Sequence, residues 1–163
     1  MTVAGARQQA ISVVTRINFD APPEEVWKGL MFYEEIEKRP SLLLRLALPV
    51  PMRTEGRKSE VGDEVKCHYL SGHLLKRVTQ ITRGRNYAFE IIEQHLTVGG
   101  GIRLLGGGYT LRELPEGRTQ VALNTCYLSP NRPRWLWERT EAAVCHLFHR
   151  YILSAMRANL RSP

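Results

Sequence analysis

Residues 131–163 read NRPRWLWERTEAAVCHLFHRYILSAMRANLRSP, and after Pro133 neither proline nor glycine recurs until Pro163. A proline at the start of an otherwise unbroken stretch predicts one long helix from Pro133 to about Leu160. Leu136, Thr140, Ala143, Val144, Leu147, Tyr151, Ala155 and Ala158 recur at steps of three and four. That spacing predicts one broad apolar face, which needs a surface to lie against. A second stripe carries Trp135, Cys145, His149, Leu153, Met156 and Leu160 away from that face. A helix apolar on two sides is either more deeply buried or touches something else, and a homodimer contact is the reading taken here.

Upstream of the helix the chain reads as strands. Ile11, Val13, Ile17 and Phe19 alternate with polar residues, which predicts a half-buried strand. Asp20-Ala21-Pro22-Pro23-Glu24-Glu25-Val26-Trp27 then reads as a helix start: a capping oxygen, prolines in the first turn, and acids at the positive helix end. Val26, Trp27 and Leu30 should point inward. A second short helix is predicted over Phe32–Lys38, ending before Pro40. Ser41–Pro51 reads as an edge strand or a covering loop, and Arg53–Gly62 as a polar loop. Five strands should follow: Glu64–Leu70, His73–Thr82, Tyr87–Gln94, Ile102–Leu114 and Thr119–Leu128. They are separated by Ser71-Gly72, Arg83–Asn86, Gly99–Gly101 and Pro115-Glu116-Gly117, which are turn sequences. Gly106–Gly108 within one strand predicts a bulge, a bend or a split. Short connections make neighbours antiparallel, so the fold class is α+β, with a curved antiparallel sheet of six or seven strands wrapped around the long helix.

The chain has 163 residues, 43% of them hydrophobic and 24% charged, the balance of one globular domain spanning residues 1–163. No apolar run is long enough for a membrane span, and the N-terminus lacks a signal-peptide pattern. Cys67, Cys126 and Cys145 are an odd number without a CxxC pair, which predicts free thiols and a cytoplasmic protein. The net charge is +7, yet its basic residues are scattered as singles and pairs, often beside acids. That pattern is not the concentrated stripe a nucleic-acid partner requires.

The element order, the strand running into Asp20–Trp27, and Gly117-Arg118-Thr119-Gln120-Val121 before the last strand resemble the START-like or SRPBCC superfamily. Its members include polyketide cyclase/dehydrase-type proteins, lipid-transfer domains and plant pathogenesis-related proteins. The likeness covers about Ile11–Leu160 and rests on structural motifs. It implies a helix-grip fold with a cavity for an apolar or amphipathic small molecule. Gly99–Gly101 and Gly106–Gly108 depart from the family's general pattern.

Strand parity sorts the residues able to face such a cavity. Tyr87, Phe89 and Ile91 on one face bring Glu93 and then His95 inward; Tyr109 and Leu111 bring Leu105 and Arg103. The neighbouring strands offer Cys67 and Tyr69, and Thr125 and Tyr127. The expected cavity residues are Tyr69, Phe89, Glu93, Arg103, Tyr109, Tyr127, Leu147 and Tyr151. Tyrosines of this kind also serve as plain packing residues, and Glu93 can simply pair with Arg103. Cys145 and His149 share a helix face, but zinc needs three or four ligands and no partner pair supplies the rest. No metal and no cofactor is expected, and no GxSxG elbow, P-loop or dinucleotide fingerprint is present. Two functions compete. One is binding or carriage of a lipid, polyketide or aromatic molecule. The other is a cyclase/dehydrase-type enzyme using Glu93 or His95 as general base, with a tyrosine or Arg103 polarising a carbonyl.

Overall fold

The computed structural model describes residues 9–31 and 51–160. The second short helix expected at 32–38 and the segment 41–50 lie outside them. Nine principal elements follow in order: β1 (Ile11–Phe19), α1 (Pro23–Met31), β2 (Pro51–Gly56), β3 (Glu64–Tyr69), β4 (Gly72–Thr82), β5 (Asn86–His95), β6 (Arg103–Leu114), β7 (Arg118–Leu128) and α2 (Arg134–Leu160). The strands form one curved antiparallel sheet in the order β1-β7-β6-β5-β4-β3-β2, and α2 lies in its concavity. This is the helix-grip arrangement.

The β1–α1 corner folds as its residues dictate. Pro23 opens α1, Glu24 and Glu25 sit in its first turn, and Val26, Trp27 and Leu30 are buried. Thr119 Oγ1, fully buried at the start of β7, donates to the Ala21 carbonyl at 2.7 Å. The two sequence motifs that resemble the superfamily are therefore in contact. β2 occupies part of the stretch expected to be a polar loop. Its Arg53–Gly56 are exposed and it pairs on one side only, so no buried face imposes alternation on it.

The main core gathers Phe19, Val26, Trp27, Val78, Leu111 and Val121 beneath the C-terminal half of α2, which contributes Leu153 and Met156. This corrects the predicted helix face. Leu136 and Leu147 are 48% and 55% exposed, whereas Glu141, His149, Leu153 and Met156 are buried. Of the stripe assigned to a homodimer contact, His149, Leu153 and Met156 grip the sheet, while Trp135 is 74% exposed. Ala155 of the predicted face is buried too and Val144 is half-buried, so that face is displaced only in part; hydrophobic periodicity counted His149 and Glu141 as polar. Hydrogen bonds from other elements make their burial tolerable.

Candidate functional site: a cavity under the first half of α2

The C-terminal half of α2 is packed against the core, but its N-terminal half spans the sheet without filling the space below. A cavity of ≈ 430 Å³ remains. Its sheet walls include Tyr69 of β3, Leu74 and Lys76 of β4, Phe89 and Ile91 of β5, Leu104 of β6, and Thr125 and Tyr127 of β7. Its roof includes Trp137, Thr140, Glu141, Val144, Cys145 and Phe148 of α2.

Of the residues expected there, Tyr69, Phe89 and Tyr127 stand on the wall. Tyr109 packs with the main core instead, its ring 6.3 Å from that of Tyr87. Leu147 is largely exposed and Tyr151 half-buried; both were carried away from the wall by the displacement of the helix face. Glu93, His95 and Arg103 are exposed. Two β-bulges explain these last three. In β5, Lys76 pairs with Ile91 while Leu75 pairs with Glu93, so one residue is extra and parity inverts beyond Ile91. In β6, Leu104 pairs with Tyr127 and Gly106 with Cys126, so Leu104 turns inward in place of Leu105. An enzyme using Glu93 or His95 as its base therefore has that base on the sheet's outer face.

On that face Glu93 Oε2 lies 3.6 Å from His95 Nε2 and 4.0 Å from His73 Nε2, and the two imidazoles are 4.6 Å apart. Their ligand atoms fall within 4.8 Å of one another, an arrangement that could hold a divalent ion with open positions. The cavity lies on the other side of the sheet.

Sequence reasoning missed Lys76. The signal was available in the spacing: Lys76 stands two residues from both Leu74 and Val78, which the structure buries, so the lysine shares their inward face. Its ammonium lies 4.5 Å from the Phe89 ring centroid. Burial pushes the surrounding Tyr69 and Tyr87 phenols upward and that of Tyr109 up to about 12. All three are neutral at ordinary pH.

The mouth is held by Glu141, which is 8% exposed. Ser129 Oγ, Asn131 Nδ2 (2.9 Å) and Arg134 Nη1 (3.1 Å to the other oxygen) all donate to its carboxylate. Burial opposes ionisation, but these bonds outweigh it and hold the carboxyl below its ordinary range. Asn131 Nδ2 also donates to the Gly99 carbonyl at 3.0 Å. Gly99, Gly100 and Gly101 have φ of 46°, 77° and 100°, a left-handed run that glycine adopts without strain. The triple-glycine loop is therefore part of the cavity rim. The Tyr127 hydroxyl beside Glu141 is buried without a geometrically satisfactory hydrogen bond, and burial followed by the Glu141 charge pushes its ionisation up to about 12.

Cys145 and His149 do not form an activated pair. Sγ is 3.5 Å from Nε2, but burial raises the thiol to about 11 and lowers the imidazole to about 4, so both are neutral. His149 is a tie between layers. Its Nδ1 lies 2.8 Å from Thr15 Oγ1 of β1, and its Nε2 lies 2.8 Å from Thr125 Oγ1 of β7. Thr15 Oγ1 also meets His146 Nδ1 at 2.7 Å, so its single proton serves one ring and it accepts from the other.

No family model and no curated protein matches this chain in sequence. Solved structures do resemble it. The Zhui aromatase/cyclase from Streptomyces sp. R1128 superposes with a TM-score of 0.62 at 18% identity, over 93% of this chain and 94% of that one. Ara h 8.0201 gives 0.62 at 11% identity, over 95% and 100%. The Aha1 dimer from Colwellia psychrerythraea gives 0.53 at 15%, over 91% and 95%. What is shared at such identities is the fold.

Proposed function

We propose that this chain of START-like helix-grip fold binds and carries, chemically unchanged, an apolar or amphipathic small molecule of lipid, polyketide or aromatic type. The carrying observation is the cavity itself. Its volume of ≈ 430 Å³ falls in the range of drug-sized ligand sites, roughly 300–1,000 Å³. Aliphatic and aromatic side chains predominate on its walls, among a few polar groups that can orient a guest. The similarity to an aromatase/cyclase keeps an enzymatic reading in view, but a general base must reach the proton it removes, and Glu93 and His95 face away from the cavity. Three free cysteines, with Cys67 buried, fit a reducing cytoplasmic setting for such a carrier.

Titration with the neutral fluorescent dye phenylnaphthylamine tests the reading. Wild-type protein should bind it saturably at one site. Val144→Trp, which adds bulk at the cavity roof, should weaken binding at least about tenfold while leaving the far-ultraviolet circular dichroism unchanged. Equal affinity in the two proteins, or no saturable binding by wild type, would overturn it.

A further inference from the structure

Lys76 is out of place for a lysine. It lies in β4, third from the β2 edge of the sheet, with β3 and β5 on either side. A lysine on an inward face ordinarily runs its stem along apolar surface and brings its charge to water at an edge. Here the ammonium lies over the Phe89 ring at 4.5 Å, next to the cavity. Val65 and Ile91 are its cross-strand partners. Among the described residues no carboxylate pairs with it, although Glu64, Glu90 and Arg77 form an ion-pair cluster on the outer face of the same strands. A ring face returns roughly 0.5–2 kcal/mol, less than the cost of withdrawing an ammonium from water. Burial disfavours its charged form, but the Cys67 thiol and the Tyr69, Tyr109 and Tyr87 phenols favour it more as they ionise, for a net upward shift. At neutral pH the three phenols are uncharged, so there only burial, which opposes the charge, and the Phe89 ring face, which favours it, act on the side chain.

We infer that Lys76 is an anion receptor within the cavity, and that the chain selects molecules whose apolar body carries a carboxylate, sulfonate or ionised phenol. The inference rests on the cavity being a ligand site and specifies the chemistry of the guest. An anionic head would give the ammonium the partner that the fold withholds. Leu74, Ile91, Leu96 and Leu104 would cover the apolar body. Hydrogen bonds to charged groups discriminate more strongly than neutral ones, so the head group should dominate the choice among molecules of similar size.

The test compares phenylnaphthylamine with anilinonaphthalene sulfonate, the same ring system bearing a sulfonate. The ratio of neutral-dye to sulfonate-dye dissociation constants should fall at least about tenfold from wild type to Lys76→Met. The neutral dye should still bind, and Lys76→Arg should keep the wild-type ratio. Adsorption of the sulfonate to other basic residues of this +7 chain would leave the ratio unchanged in Lys76→Met. That result, with both dyes bound, overturns the inference but leaves the cavity reading standing. Failure of wild type to bind either dye overturns both. A second comparison needs only wild-type protein: dodecanoate should displace the neutral dye at least about tenfold better than dodecanamide, and equal displacement overturns the inference even if Lys76→Met does not fold.

Discussion

Lys76 and Glu141 both bring charge to the cavity, and the fold treats them oppositely. Glu141 receives three donors from three neighbouring residues. Lys76 receives a ring face and no carboxylate among the described residues. A charge left unpaired at a half-buried site costs stability that an apolar residue of the same length would not. Lys76→Met should therefore stabilise the ligand-free protein by about 1 kcal/mol, or roughly 2–4 °C at this chain length. Differential scanning calorimetry without ligand checks this; a lower melting temperature would mean that the ammonium is already compensated. A side chain that costs stability while it waits for a partner is common at binding sites.

Among the elements, α2 depends most on polar ties to strands remote in sequence. His149 joins it to β1 and β7, and burial, followed by the neighbouring His146, lowers its imidazole from 6.5 to about 4. In the unfolded chain the same ring protonates near its ordinary value. Between about pH 6.5 and 4 the unfolded state therefore takes a proton that the folded state refuses. Stability falls as pH drops through that window, by about 3 kcal/mol in total, and the contribution is fully present above it. Urea midpoints across this range should fall more steeply for wild type than for His149→Gln. Parallel slopes in the two proteins would show that His149 is not the responsible group.

At the scale of the whole molecule, the helix is anchored at one end and roofs a cavity at the other. Leu153 is fully buried in the main core, whereas Val144 borders the cavity. Leu153→Ala should cost about 3 kcal/mol, because closely packed surroundings relax little around the lost volume. Val144→Ala should cost less than about 1 kcal/mol, since the side chain already faces a void. Urea denaturation of both variants measures the contrast. Similar losses would mean that the N-terminal half of α2 is packed as tightly as the other half.

The sequence by itself determined the strand–helix–sheet–helix order. Turn residues punctuate β3 to β7 within a residue or two of their observed ends, and an uninterrupted 27-residue run with proline before it can hardly be anything but one helix. These are local properties, carried by neighbours in the chain. Which side of that helix is buried was not local. Thr15 and Thr125 make room for His149, and Ser129 and Asn131 do so for Glu141; without those partners both look like solvent-facing residues. The cavity wall was half legible for a related reason. Parity holds from Tyr87 to Ile91, then one extra residue in β5 sends Glu93 and His95 outside, and the bulge before Gly106 does the same to Arg103. A bulge depends on how two strands meet, so only the tertiary structure could decide which polar groups face the cavity, and it chose a lysine between Leu74 and Val78.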